Sequence, residues 1–256
     1  MPLKFPKKPE IPLKKPPLAE VICQVKFSPI LNIAKGLPTD FQEAVRGRFP
    51  GLEVEQGVVF QLPVSGISEK HLMDATPRIY RFVASNGTTN LALATDFIAL
   101  STKSYNHWQD FRQDLAMAEK ALREIYHPAY ATRVGLRFIN RFTKRNTASK
   151  NFLEILGLFR NELTCVLHTE AWQEPKEMLS QIILSDDVAD LALRIGLGRE
   201  QKEKFFLLDF DYYEEGRITF QGLSKRVDRY HSRIYSAFRW CMQNESLERF
   251  EPQIGG

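Results

Sequence analysis

The sequence has no long apolar runs, no cysteine pairs and no local motif of a common catalytic site. No apolar stretch of the 256-residue chain approaches the roughly 20 residues needed to cross a bilayer. The first 17 residues lack an apolar core and a small-residue cleavage site, so we predict that they are not a signal peptide. Three distant cysteines, Cys23, Cys165 and Cys241, form no disulfide framework and favour a cytoplasmic location.

Motifs for cofactors and metals are also missing. There is no G-x-S-x-G element and no P-loop, and "GLG" at 196–198 lacks the remaining glycines of a dinucleotide-binding loop. The five histidines show no metal-binding spacing such as H-x-x-x-H. We therefore predict no cofactor, and we favour a non-enzymatic protein while leaving an enzyme open.

Outside the N-terminal tail, the chain has no excess of positive charge. Residues 1–17 contain five lysines, one glutamate and six of the fourteen prolines, and they carry the whole net charge of +4. A neutral remainder is weak support for a dedicated nucleic-acid binder. The prolines predict extended chain, either a basic arm for a partner or a solvated leader. A solvated leader predicts that deletion of residues 1–15 leaves the melting temperature nearly unchanged.

The rest of the chain is rich in alternating and helical apolar patterns, with 43% hydrophobic residues in all. Alternation predicts strands at 18–27, 57–64, 78–84, 90–95, 97–105, 131–142, 163–170, 177–185, 189–198 and 204–213. Helical spacing predicts helices at 37–49, 106–126, 150–159 and 220–243.

This order indicates an α+β fold with two pseudo-repeats, residues 18–128 and 129–256. Each half has the order strand, short helix, antiparallel meander, long helix, and we expect the halves to share one core. The order resembles the TATA-binding-protein-like folds, which implies one curved sheet with helices on one face.

The stretch "TRVGLRFINRFTKRN" at 132–146 has an arginine at every fourth position. Its β-branched and aromatic residues favour a strand over a helix. As a strand, it places Arg133, Arg137 and Arg141 on one face, because side chains alternate between faces. Guanidinium groups on an open face are suited to binding phosphate or carboxylate.

A second alternating stretch, "LLDFDYY", offers an alternative explanation of the arginines. Asp209 and Asp211 share one strand face, and cross-strand pairs with the arginines would account for both rows without a ligand. The same two carboxylates are also candidate metal ligands, as in magnesium-dependent nucleases.

His231 has a candidate acidic partner on its own helix. It lies at the edge of the apolar stripe of the last helix, one turn after Asp228. Such a pair is suited to general acid or base catalysis. The alternative is a hydrogen-bonded histidine at the boundary of the core.

Several stretches together resemble a family of prokaryotic proteins of about this length that is known as "sporadically distributed" and has no assigned function. They are "LKKPPLAEVICQVKFSPIL", "FIALSTKSYNHWQDF", "TRVGLRFINR", "LLDFDYYEEG" and "DRYHSRIYSAF", which lie along most of the chain. The resemblance implies a cytoplasmic protein in a mobile or defence-related context, and it supplies no catalytic residues.

These observations favour a binding protein that presents Arg133, Arg137 and Arg141 to an anionic ligand or a protein partner. One alternative is a nucleic-acid-associated protein or metal-dependent nuclease that uses the same face. Another is a structural subunit of a homo-oligomer whose free sheet edge or face is buried by self-association.

Overall fold

The computed structural model describes residues 3–56, 78–167, 171–172, 175–200 and 203–253. The strands are β1 (Leu18–Phe27), β2 (Gly51–Gln56), β3 (Arg78–Val83), β4 (Thr89–Leu93), β5 (Phe97–Thr102), β6 (Ala131–Thr143), β7 (Met178–Ser185), β8 (Asp190–Glu200) and β9 (Glu203–Ile218). The α-helices are α1 (Thr39–Val45), α2 (Trp108–Tyr126), α3 (Lys144–Thr147), α4 (Phe152–Leu156), α5 (Asn161–Thr164) and α6 (Leu223–Cys241). Short 3-10 helices cover Leu31–Ala34, Cys165–Leu167 and Asn244–Phe250.

The α+β prediction is confirmed, because the strands form one open antiparallel sheet in the order β2-β3-β4-β5-β1-β6-β9-β8-β7. The strand β1 pairs with β5 on one side and with β6 on the other, so the sheet is continuous across the middle of the chain. The strands β2 and β7 lie at its two edges.

Alternation along each central strand separates a buried face from a second, polar face. In β1, Val21, Cys23 and Val25 are fully buried, while Ile22 and Gln24 on the other face are partly exposed. The buried face is covered by the two long helices, because α6 packs on β6 and β9, and α2 packs beside β5. Each long helix has an apolar stripe at helical spacing that meets this face.

Two predicted strands differ from the structure. The strand predicted at 163–170 is wrong, since residues 161–167 are helical and the remainder lies outside the described residues. Leu163, Thr164 and Leu167 are buried there, a spacing that a helix provides and a strand does not. The strand predicted at 57–64 lies outside the described residues, and β2 at Gly51–Gln56 was not predicted.

The N-terminal segment is docked, so its interpretation as a solvated leader is wrong. We call residues 3–17 the N-terminal strap. Its backbone forms a β-bridge between Leu13 and Pro252, and the Lys14 and Lys15 amides donate to carbonyls of residues 251 and 250. The Phe5 ring lies 5.5 Å from the Trp240 ring. Proline restricts the unfolded segment, which lowers the entropic cost of docking it.

No helix among the described residues has the length and apolar character needed to cross a membrane.

Candidate functional site

The arginines of β6 are paired with acidic side chains. Arg137 donates from Nε and Nη2 to the two carboxylate oxygens of Asp209, at 2.8 and 2.6 Å. Arg133 donates from Nη2 to both oxygens of Asp211, at 3.1 and 3.0 Å. Arg137 is directly opposite Asp211 but pairs with Asp209, two residues along β9, which is a diagonal neighbour. Arg133 is opposite Glu215 but pairs with Asp211, four residues along β9. The predicted arginine–aspartate pairing is therefore present.

Asp209 is the centre of a network that extends across three further strands. Its carboxylate is almost fully buried, with 2% of the side chain exposed, and it also accepts a bond from Arg194 Nη1 at 3.2 Å. Arg194 on β8 in turn donates from Nε to Gln181 on β7, at 2.7 Å. Two guanidinium groups thus share one buried carboxylate, and this cluster has a formal charge of +1.

The third arginine has a more exposed setting. Arg141 pairs with Glu200, whose side chain is 64% exposed, and the Arg141 guanidinium lies 5.0 Å from the Phe205 ring centroid.

The absence of a side chain at Gly135 leaves room for Arg133. The Arg133 guanidinium lies directly over Gly135, where a Cβ atom would collide with it. The same guanidinium is 4.6 Å from the centroid of the Tyr213 ring.

Carboxylates outnumber cations on this polar face as a whole, among the described residues. The strand registers place Lys26, Arg81, Arg133, Arg137, Arg141 and Arg194 on it. They also place there Glu20, Glu53, Glu55, Asp190, Glu200, Glu203, Asp209, Asp211 and Glu215. This balance does not favour a broad anion-binding surface. Arg137 and Arg194 share the single carboxylate of Asp209, although Asp211 and Glu20 also act electrostatically on Arg137.

The carboxylates considered as metal ligands are engaged by arginines. Asp209 binds two guanidinium groups and Asp211 binds one. Within the described parts of the chain, no group of three or more histidine, cysteine, aspartate or glutamate side chains is arranged to hold a metal ion.

His231 and Asp228 are connected through Trp108. Asp228 accepts hydrogen bonds from Trp108 Nε1 at 2.9 Å and from Arg112 Nε at 3.1 Å. The Trp108 ring stacks on His231 with centroids 4.2 Å apart and planes 6° from parallel. Burial lowers the pKa of His231 to about 4, which makes it a weak base at neutral pH, whereas general bases work best with a pKa near the operating pH.

The strap and the His231 face of α6 line a partly open cavity of about 90 Å³. Its apolar lining comes from strap residues and from Phe138, Ile234 and Phe238. His231 Nε2 lies 3.5 Å from both Glu10 Oε1 and the Tyr105 hydroxyl. Both contacts are at the outer limit of hydrogen bonding, so the strap brings an acidic group to a buried, uncharged imidazole.

The protonation of His231 predicts a loss of stability in mild acid. Because its pKa is about 4 in the folded protein and 6.5 in the reference state, the unfolded chain binds the proton first as the pH falls. Above about pH 6.5 the free energy of unfolding includes the full contribution of neutral His231. It decreases by roughly 3 kcal/mol as the pH falls towards 4. Burial raises the pKa of Glu10, so the folded protein binds this proton before the unfolded chain does as the pH falls. Protonation of Glu10 therefore offsets part of the loss of stability caused by His231.

Urea unfolding at pH 7, 5.5 and 4.5 would test this loss in the parent and in His231→Gln, which cannot titrate there. We expect the parent to lose more stability than the variant over this window. Equal pH dependence of the two proteins would contradict the assignment.

Several residues of these sites were not predicted from the sequence. Arg194 had a signal, because it is the only charged side chain in the middle of the apolar stretch "LALRIGL", on the same strand face as Ala192. Glu10, Tyr105 and Trp108 had none, since they come from distant segments that only the docked strap and the start of α2 bring to His231.

Comparison with protein-family models gave no match for this chain. Comparison with curated protein sequences likewise found none that matches.

Proposed function

We propose that this chain is a non-enzymatic binding protein that holds an anionic group of its ligand or protein partner against Arg137 and Arg194. The observation that carries the proposal is the buried Asp209 carboxylate shared by the two guanidinium groups. The anion would be a carboxylate or a phosphate, which guanidinium groups bind with directed pairs of N–H donors.

The remaining donors of the two arginines support this site. The bonds to Asp209 and Gln181 use Nε and Nη2 of Arg137 and Nε and Nη1 of Arg194. One terminal nitrogen of each guanidinium is not used in these bonds, and the side chains are 38% and 24% exposed. The buried carboxylate fixes both arginines in place, so little side-chain entropy is lost when an anion binds.

Thermal unfolding with and without inorganic phosphate or citrate, at fixed ionic strength, tests the proposal. At ten times Kd, binding stabilises the folded state by about 1.4 kcal/mol, which corresponds to roughly 3–5 °C for a chain of this size. We expect Arg194→Gln to abolish this shift and Arg141→Gln to retain it. Chloride at equal ionic strength must not reproduce the shift, and the same shift in all three proteins would refute the site.

The strand order supports an internal duplication as part of this proposal. In each half, the first strand (β1 or β6) pairs with the last strand of the meander (β5 or β9), and a long helix follows that last strand. We infer that β1, β5, β4 and β3 correspond to β6, β9, β8 and β7, in the manner of the TATA-binding-protein-like folds. The strand β2 has no counterpart among the described residues.

We also propose that the chain is a cytoplasmic member of the "sporadically distributed" family, on the stretches quoted above. The three cysteines are free thiols, which is consistent with a reducing compartment. The paired state of Asp209 and Asp211 and the acidic balance of the polar face do not favour the alternative of a nuclease or nucleic-acid binder.

A further inference from the structure

The edge strand β7 lacks charged residues and prolines, the usual protection of a sheet edge. Its sequence, "MLSQIILS", contains no charged residue and no proline, although it lies at the edge of the sheet. Natural proteins usually protect such edges with charges, prolines, bulges or a covering element. The opposite edge strand, β2, has Glu53 and Glu55 in its short sequence.

Apolar side chains on both faces of β7 are exposed. Leu179 and Ile183, on the polar face of the sheet, are 68% and 55% exposed, and Ile182, on the other face, is 42% exposed. Val188, in the turn to β8, is 53% exposed. A helix docked on one face would leave the other uncovered, whereas an added strand contributes side chains to both faces and pairs with the edge backbone.

We propose that β7 pairs antiparallel with β7 of a second copy of this chain, which joins the two sheets edge to edge. The proposal rests on the edge strand and not on anion binding, although Gln181 of β7 also accepts a hydrogen bond from Arg194. Two-fold pairing sets each residue of the strand against another residue of the same sequence, so charges of a single sign would repel across the axis; β7 has no charged residue and meets no such repulsion. A dedicated partner of different sequence would instead be selected by complementary charges on this edge.

The order of residues along β7 fits a two-fold axis through Gln181. In this register, Leu179 faces Ile183 of the second copy on one side of the sheet. On the other side, Met178 faces Leu184, and Ser180 faces Ile182, of the second copy. Apolar residues therefore meet at both ends of the strand, and the two Gln181 amides meet at its centre, where each can hydrogen-bond to the other.

A single strand pair is a small interface compared with the roughly 1,200–2,000 Å² of stable complexes. We therefore expect a reversible dimer with a Kd in the micromolar range. Sedimentation velocity of the full chain at about 1–100 μM would show the mass increase with concentration. A parent that is monomeric throughout this range would overturn the proposal.

Two kinds of variant test the strand and its register. Ile183→Lys should weaken the dimer by more than tenfold, because it buries a charge against apolar neighbours. Leu31→Lys, which changes an even more exposed apolar residue elsewhere, should leave the dimer intact. Circular dichroism and melting curves must show that both variants are folded, and an unchanged dimer in Ile183→Lys would refute the interface.

The register is tested by cross-linking in a Cys165→Ser background, which removes the exposed native thiol. Gln181→Cys should form an intermolecular disulfide under mild oxidation, because position 181 faces itself across the axis. Leu179→Cys, which faces position 183, should form it much more slowly. The reverse order of rates would refute the proposed axis.

Discussion

Replacing Arg137 by alanine is expected to destabilise the protein by roughly 3 kcal/mol, because it leaves a buried carboxylate without its main partner. Asp209 has only 2% of its side chain exposed, and the bond that remains, from Arg194, is longer than either bond that is lost. Urea unfolding of the parent and the variant at pH 7 would measure the difference.

The same strand supplies two matched controls for this prediction. Arg133→Ala and Arg141→Ala make the same change on the same face, but their carboxylate partners, Asp211 and Glu200, are 15% and 64% exposed. We expect the loss in stability to follow the burial of the partner, with an intermediate value for Arg133→Ala. For Arg141→Ala it should be below about 1 kcal/mol, as for other exposed pairs. Equal losses at all three positions would contradict this explanation.

A second substitution distinguishes the effect of the unpaired Asp209 charge from the effect of lost packing. In Arg137→Ala, the further substitution Asp209→Asn removes the uncompensated negative charge and keeps nearly the same shape. We expect the double variant to be more stable than Arg137→Ala alone, since Arg194 is partly exposed and can be hydrated. A double variant that is less stable would indicate that packing, and not charge, dominates at this position.

Removal of residues 2–15 is expected to lower the melting temperature by roughly 5–10 °C. The strap packs Leu3, Phe5 and Leu13 against the core, and its backbone bonds pair with residues 250–253. The entropy of ordering the strap offsets much of this gain, so we expect a net loss of a few kcal/mol, at about 2–4 °C for each. Differential scanning calorimetry would measure the change.

Two single substitutions show which part of the strap is responsible. Phe5→Ala removes the ring beside Trp240 and should reproduce part of the loss. Lys4→Ala, at an exposed neighbouring position, should have almost no effect. If the truncated protein melts at the parent temperature, the strap contributes no net stability.

Deletion of the strap should also expose the cavity beside His231 to water. The stability of the truncated protein should then depend less on pH in mild acid, because a hydrated imidazole titrates near its usual pKa.

The sequence by itself determined the α+β class and most of the strands, because alternation and helical spacing are local patterns. It also placed Arg137 on one face of its strand and Asp209 on one face of another, so that their pairing was one of the expected outcomes, beside an anion site and a metal site. Local patterns failed at 161–167, because Leu163 and Leu167 are four residues apart and fit both a strand and a helix. The burial of Thr164, which distinguishes the two, is a property of the folded chain.

Only the tertiary structure decided what lies beside these residues. The diagonal choice of Asp209 over Asp211 by Arg137, and the sharing of Asp209 with Arg194, depend on the order of β6, β9 and β8 in the sheet. The docking of the strap depends on residues 250–253, which are distant in sequence. The prolines predicted that the strap is neither a helix nor a central strand, and it is neither. The surface that binds it exists only in the folded chain, because α6 and the C-terminal segment present their apolar and backbone groups together only after folding.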